Sequence, residues 1–213
     1  MIDRDRLQRE FLTLATIDSP SFRERPMADA LTARLRALGA AVREDAAGAA
    51  LQGDAGNLFA DLPGTLPGEP LLFSAHMDTV GPCLGKKPRL ADDGRFRSDG
   101  TTVLGSDDLA GVCAILEAVR SLDEDGVPRR TLQVIFSVGE ERNLAGAKQV
   151  DPAAIKAREG YVLDTSGPPG HAVNTAPGNR RIVAVFHGRA AHAGIAPEKG
   201  VNAVAAAADA IAA

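Results

Sequence analysis

Apolar residues follow two kinds of pattern along this chain. Over residues 3–15, Leu7, Phe11 and Leu14 are spaced by four and three, which predicts a helix with one apolar face. Asp18-Ser19-Pro20-Ser21 breaks it. A second helix is predicted over 26–38, with Leu31, Leu35 and Leu38 on one side and Gly39 as its stop. Residues 40–56 are rich in Ala and Gly and give no period. Residues 57–62 form a short strand candidate closed by Pro63-Gly64.

The second pattern is the continuous apolar run, which marks a strand buried on both faces. It predicts strands at 71–75, 131–138 and 160–163. Between the first two, 81–99 is polar and loop-like. Over 108–122, Leu109, Val112, Leu116 and Val119 return at helical spacing, with Ser106 or Asp107 able to cap the start. Residues 144–157 are predicted helical, with Asp151-Pro152 starting a new turn. Strands alternating with helices imply a parallel or mixed α/β sheet.

Beyond Asp164 the texture changes. Ser166–Gly170 (SGPPG) reads as a loop, 181–187 (RIVAVFH) alternates like a half-exposed strand, and 201–213 is an alanine-rich helix. The expectation is a first domain over 1–179 and the beginning of a second over 180–213.

Composition adds mainly exclusions. Apolar residues make up 45% and charged residues 24%, as in ordinary globular proteins. The net charge of −4, with no basic run, argues against a nucleic-acid binder. No apolar run reaches membrane-spanning length, and the N-terminus MIDRDRLQRE is no signal peptide. Cys83 and Cys113 lie far apart without CxxC spacing, as expected of reduced residues in a cytoplasmic protein. No GxGxxG or GxxxxGK[ST] follows a strand, which argues against a nucleotide-binding domain.

The chemistry lies at the ends of the runs. LLFSAHMD (71–78), VLGSDD (103–108), LQVIFSVGEE (132–141) and YVLD (161–164) each close on an acid or a histidine. Each has a bland reading: a capped turn at His76 and Asp78, first-turn helix acids at Asp107-Asp108 and at Glu140-Glu141, and a turn acid at Asp164. Functional groups of open α/β sheets gather beyond the carboxyl ends of strands, and all four clusters sit there. If the strands are neighbours, the acids repel one another unless a cation joins them. That points to a hydrolytic site for divalent metals.

Five segments in order, AHMDTV, SDGTTVLGSDDLAG, SVGEE, YVLD and GRAAHAG…PEKGVNA, resemble the M20 family of metallopeptidases, closest to its peptidase T (tripeptidase) branch. The resemblance covers about residues 57–204. It implies a zinc-peptidase-like α/β catalytic domain, with a mixed, mostly parallel sheet flanked by helices, and the start of an α+β lid or dimerisation domain. It implies two divalent ions, zinc first, with cobalt or manganese as alternatives. His76 and Asp164 would hold one ion, Glu141 the other, and Asp107 would bridge them. Asp78 would orient His76, and Glu140 would be the general base. The Asp107–Asp108 peptide would be cis. His192 and Asn202 would contact a short peptide substrate, and the lid would form a homodimer. The family pattern also asks for a fifth ligand, a histidine that no residue here matches, so the resemblance implies a chain cut within its lid. Other activities that share the metal residues are those of M20 carboxypeptidases and N-acyl amino acid deacylases. A metal-binding fragment without activity is a further alternative.

Overall fold

Asp3 begins the folded chain by accepting the Arg6 N–H, which caps helix α1 (Arg4–Ala15). The computed structural model describes residues 1–175, 178 and 180–212. After α1 come α2 (Arg25–Ala37), β1 (Ala41–Glu44), α3 (Ala47–Leu51), β2 (Leu58–Leu62) and β3 (Leu71–His76). A small hairpin, β4 (Arg89–Leu90) and β5 (Phe96–Arg97), precedes the long helix α4 (Ser106–Glu124). Then follow β6 (Leu132–Ser137), β7 (Glu159–Val162) and α5 (Ala203–Ala212). The chain divides into two units, Met1–Pro168 and Pro169–Ala213.

The first unit is built on a five-stranded sheet in the order β1-β2-β6-β3-β7. β2 is antiparallel to β1 and β6, while β3 is parallel to both β6 and β7. All strands except β2 therefore run the same way. Alternating elements predicted a parallel or mixed sheet, and the mixed, mostly parallel form is the one the family resemblance implied. Leu58, Ala60 and Leu62 of β2 share one face with Leu132, Val134 and Phe136 of β6. Alternation puts these side chains on the same side of the pleat. The helices cover this face: α4 packs on β3, α1 on α4, and α2 on β1 and β2. Phe11, Leu14, Met27, Leu31, Leu35, Val112 and Leu116 complete the core.

Several elements differ from expectation. β6 is buried throughout, but β3 is only half-buried from Leu71 to Ser74, and β7 is exposed along its length. The cause is position in the sheet. β6 is central, whereas β7 is an edge, and among the described residues no strand pairs beyond it. Residues 144–157 form two 3-10 turns, Ala147–Gln149 and Pro152–Ala154, in place of a helix. Pro152 offers no N–H and keeps Asp151 extended (ψ 117°), and the Asp151 side chain accepts from Ala153 instead. Gln133, on the outer face of β6, ties this segment down through the Ala154 carbonyl and the Lys156 amide. The uninformative 40–56 stretch holds β1 and α3, and the 81–99 loop holds the β4–β5 hairpin.

Among the described residues, the second unit holds α5, a 3-10 turn at Pro197–Lys199 and one bridge between Arg189 and Val201. The expected strand at 181–187 is irregular, with exposed Ile182, Val183 and Val185; alternation alone gives no strand without a neighbour to bond. Asn202 caps α5 by accepting from Val204 and Ala205. Among the described residues no helix is long and apolar enough to cross a membrane.

Candidate metal centre

His76 closes β3 and is buried at the carboxyl end of the sheet. Parallel pairing sets it beside Ser137, so the loop after β6, with Glu140 and Glu141, starts next to it. β7 lies on the other side of β3, and its continuation carries Asp164. The start of α4 supplies Asp107 and Asp108. The structure thus brings together all four sequence clusters. His76, Asp107 and Glu141 place one ligand atom each within 4.8 Å of one another, and so do His76, Glu140 and Asp164.

The hydrogen bonds of His76 define its role. Nδ1 lies 2.9 Å from the Asp78 carbonyl oxygen, which can only accept, so Nδ1 carries the proton. Nε2 faces the Asp107 carboxylate at 3.1 Å and that of Glu140 at 3.9 Å. A neutral imidazole would then oppose a lone pair to carboxylate oxygens. A second proton on Nε2, a carboxyl proton or a cation between them relieves this opposition, and a cation relieves it for both carboxylates at once. Nδ1–H donation to a carbonyl is also the usual way in which a metal-binding imidazole is held.

The Asp78 carboxylate has other partners. Its Oδ2 accepts from Ser21 Oγ at 2.7 Å and from the Glu141 amide at 3.2 Å, and its Oδ1 accepts from the Glu140 amide at 2.8 Å. Oδ1 stands 3.6 Å from His76 Nδ1. Asp78 therefore touches the histidine mainly through its main chain and grips the Glu140-Glu141 loop with its side chain.

Asp107 and Asp108 divide their work. The Asp107 side chain is exposed toward the cluster, and the Asp107–Asp108 peptide is cis. Asp108 is buried; it accepts from the His76 amide at 3.3 Å and from the Gly111 amide at 3.2 Å. The expected caps, Ser106 or Asp107, make no such bond. Non-helical φ/ψ at Asp107 and Asp108 pass the cap to Asp108, whose bond to the third residue on is that of an N-cap.

Burial and like charge push Asp108, Glu140, Glu141 and Asp164 toward their neutral forms. The carboxyl of Asp108 is pushed up to about 7, chiefly by burial. Glu140, Glu141 and Asp164 are also raised, by burial first and then by neighbouring carboxylates, with His76 opposing. Burial lowers the His76 imidazole, but Asp78, Asp107, Asp108 and Asp164 outweigh it and the net shift is upward. Such a cluster is unfavourable when fully ionised and favourable around a divalent cation. Its donor set, one imidazole and several carboxylates, suits zinc, cobalt or manganese. Two cavities flank it. One of about 370 Å³ is lined by Asp107, Asp108, Asp164 and Ser166, and one of about 250 Å³ by Ser21, Val80, Glu141 and Arg142.

His192 and Asn202 belong to the second unit. His192 is exposed and accepts from the Gly194 amide at 3.2 Å. It lines a cavity of about 380 Å³ with Arg189 and Lys199. The periodicity of the sequence did not reveal Ser21 and Glu24, which brace the site from the break between α1 and α2. The one visible sign was the polar, Pro-containing segment there. Both cysteines are free and buried.

The chain is similar in sequence and fold to known peptidases. The chain is 41% identical to an aminopeptidase PepT from Bacillus cereus, with a TM-score of 0.84, over 99% of this chain and 57% of that one. A tripeptidase from Staphylococcus aureus matches at 34% identity and a TM-score of 0.85, over 100% and 57%. An uncharacterised protein YqjE of Bacillus subtilis is 40% identical over 99% of this chain and 57% of its own length. The chain thus spans a little over half the length of these relatives. The α/β architecture is that of the catalytic domain of PepT-like peptidases. A family model matches residues 57–198, and its name is peptidase family M28, in the same clan as the expected M20. On the strength of that match, the chain belongs to peptidase family M28.

Proposed function

We propose that this protein hydrolyses amide bonds of short peptides at a two-metal centre, in the manner of an aminopeptidase or tripeptidase of the peptidase T branch of M20. The observation that carries this reading is the convergence of His76, Asp107, Glu140, Glu141 and Asp164 at the sheet's carboxyl end, with His76 Nε2 turned into the acids. His76 and Asp164 are assigned to one ion, Glu141 to the other, and Asp107 to both. Zinc is the preferred metal, with cobalt or manganese as substitutes. Bound divalent ions supply a lowered pKa for an attacking water and polarisation of the scissile carbonyl.

The chain's own residues do the rest. Glu140 is the general base. Its carboxyl is raised from the ordinary value by burial, with His76 opposing, which moves it toward the pH at which proton transfer works best. It takes a proton from water and returns it to the departing amine. Asp78 holds the His76 ring through its carbonyl and the Glu140 amide through its carboxylate, so base and ligand keep a fixed separation. His192 is assigned to the developing oxyanion and Asn202 to the substrate. A cytoplasmic setting and a dimer through the second unit complete the reading.

The test is a panel of tripeptides, C-terminally extended peptides and N-acyl amino acids offered to the metal-loaded protein. Tripeptides should be cleaved best; preference for N-acyl amino acids would instead indicate a deacylase. Glu140→Gln should keep its metal and lose turnover by about a hundredfold or more. Undiminished turnover in that variant would contradict the assignment of the base.

A further inference from the structure

Three successive amides carry the loop that presents Glu140 and Glu141. The N–H of Gly139 donates to Glu24 Oε1 at 2.9 Å, that of Glu140 to Asp78 Oδ1 at 2.8 Å, and that of Glu141 to Asp78 Oδ2 at 3.2 Å. Two buried carboxylates, from segments distant in sequence, thus set the course of the main chain through this turn. Asp78 lies inside an expected motif. Glu24 lies in none.

Glu24 is fully buried. It occupies the N-cap position of α2 but makes no cap bond to that helix with its side chain. Instead its Oε1 accepts from the Phe22 amide at 2.8 Å as well as from Gly139, 115 residues away. Its Oε2 has no partner among the described residues. A carboxylate turned from its own helix into the interior is a costly choice for mere packing. Gly139 itself has φ +55°, and a Cβ there would lie 2.7 Å from the Phe22 ring. Its carbonyl accepts from Ala145 at 3.0 Å, so both its polar groups are fixed. Burial raises the Glu24 carboxyl to about 7, which makes glutamine a fair mimic of its shape and hydrogen bonding at neutral pH.

We infer that Glu24 is a positioning residue for the metal centre: by holding the Gly139 amide it fixes where Glu140 and Glu141 present their carboxylates. This rests on the reading of the cluster as a metal site. The Ser21–Glu24 segment acts as a brace, with Ser21 on Asp78 and Glu24 on Gly139. What matters is the reach of an acceptor oxygen to the Gly139 amide, and charge is secondary.

The experiment compares Zn²⁺ affinity of wild type, Glu24→Gln and Glu24→Asp by competition with a chromophoric chelator, with circular dichroism recorded for each. Glutamine keeps the acceptor at the same reach, and its affinity should stay within about threefold of wild type. Aspartate keeps the charge but is one methylene short, and its affinity should fall by about tenfold or more. A folded Glu24→Asp that binds like wild type, or a Glu24→Gln as weak as Glu24→Asp, overturns the inference. Amide hydrogen exchange of the metal-free wild type gives a second check that needs no variant. Gly139, Glu140 and Glu141 should be protected, and free exchange at Gly139 overturns the inference. A folded wild type that binds no Zn²⁺ would instead refute the metal-site reading itself, which separates the two failures.

Discussion

Asp78 shows how much one side chain can do in this site. Its carbonyl fixes the His76 tautomer, and its two carboxylate oxygens take three donors from Ser21, Glu140 and Glu141. Asparagine has one acceptor oxygen and would turn an NH₂ group toward an amide donor, so one loop contact becomes a donor–donor clash. Asp78→Asn should therefore weaken Zn²⁺ binding by about ten- to hundredfold while the fold persists. Chelator competition measures this, and unchanged affinity would show that the loop needs no clamp. The residues that face the cluster were legible in the sequence, because each ends an apolar run. Their supports were not. Ser21 reaches Asp78 across 57 residues and Glu24 reaches Gly139 across 115, and no local spacing encodes such contacts. Asp108 was visible as an acid, but only the bonds to His76 and Gly111 show that it ties β3 to α4.

Among the elements, α1 and α4 are joined by a charged contact at the edge of their apolar seam. Arg6 donates to Glu117 from Nε at 2.7 Å and from Nη2 at 2.8 Å, and the Asp3 amide and Ser121 hydroxyl also donate to Glu117. These donors, Arg6 first, hold the Glu117 carboxyl down at about 2. A depressed carboxyl stabilises the fold fully above its unfolded value near 4.5. That stability is lost as pH falls from there through about 2. Glu117→Gln should cost about 2 kcal/mol at pH 7, less than the full linkage value because Arg6 is partly solvated and also pairs with Glu124. Urea unfolding at a series of pH values should show the difference closing as pH nears 2; a constant difference would contradict the pairing. Periodicity found the helices α1, α2 and α4 and the central strands because packing against one sheet face imposes it. It failed at 144–157, where Pro152 and the side-chain bonds of Gln133 override a helical composition. It also failed at 181–187, where alternation has no partner strand among the described residues.

At the scale of the whole molecule, family membership and the sheet's carboxyl edge point to the same place. Order of strands, parallel pairing and the entry of α4 bring acids from three further segments within reach of the His76 imidazole. The central claim is that this cluster exists to hold divalent metal. Elemental mass spectrometry of the purified chain, reconstituted with zinc and then desalted, tests it most directly. About one or two ions per chain, lost in Asp107→Ala with the fold intact, is the predicted result. A folded wild type that retains no metal, or an Asp107→Ala variant that retains as much as wild type, would contradict it.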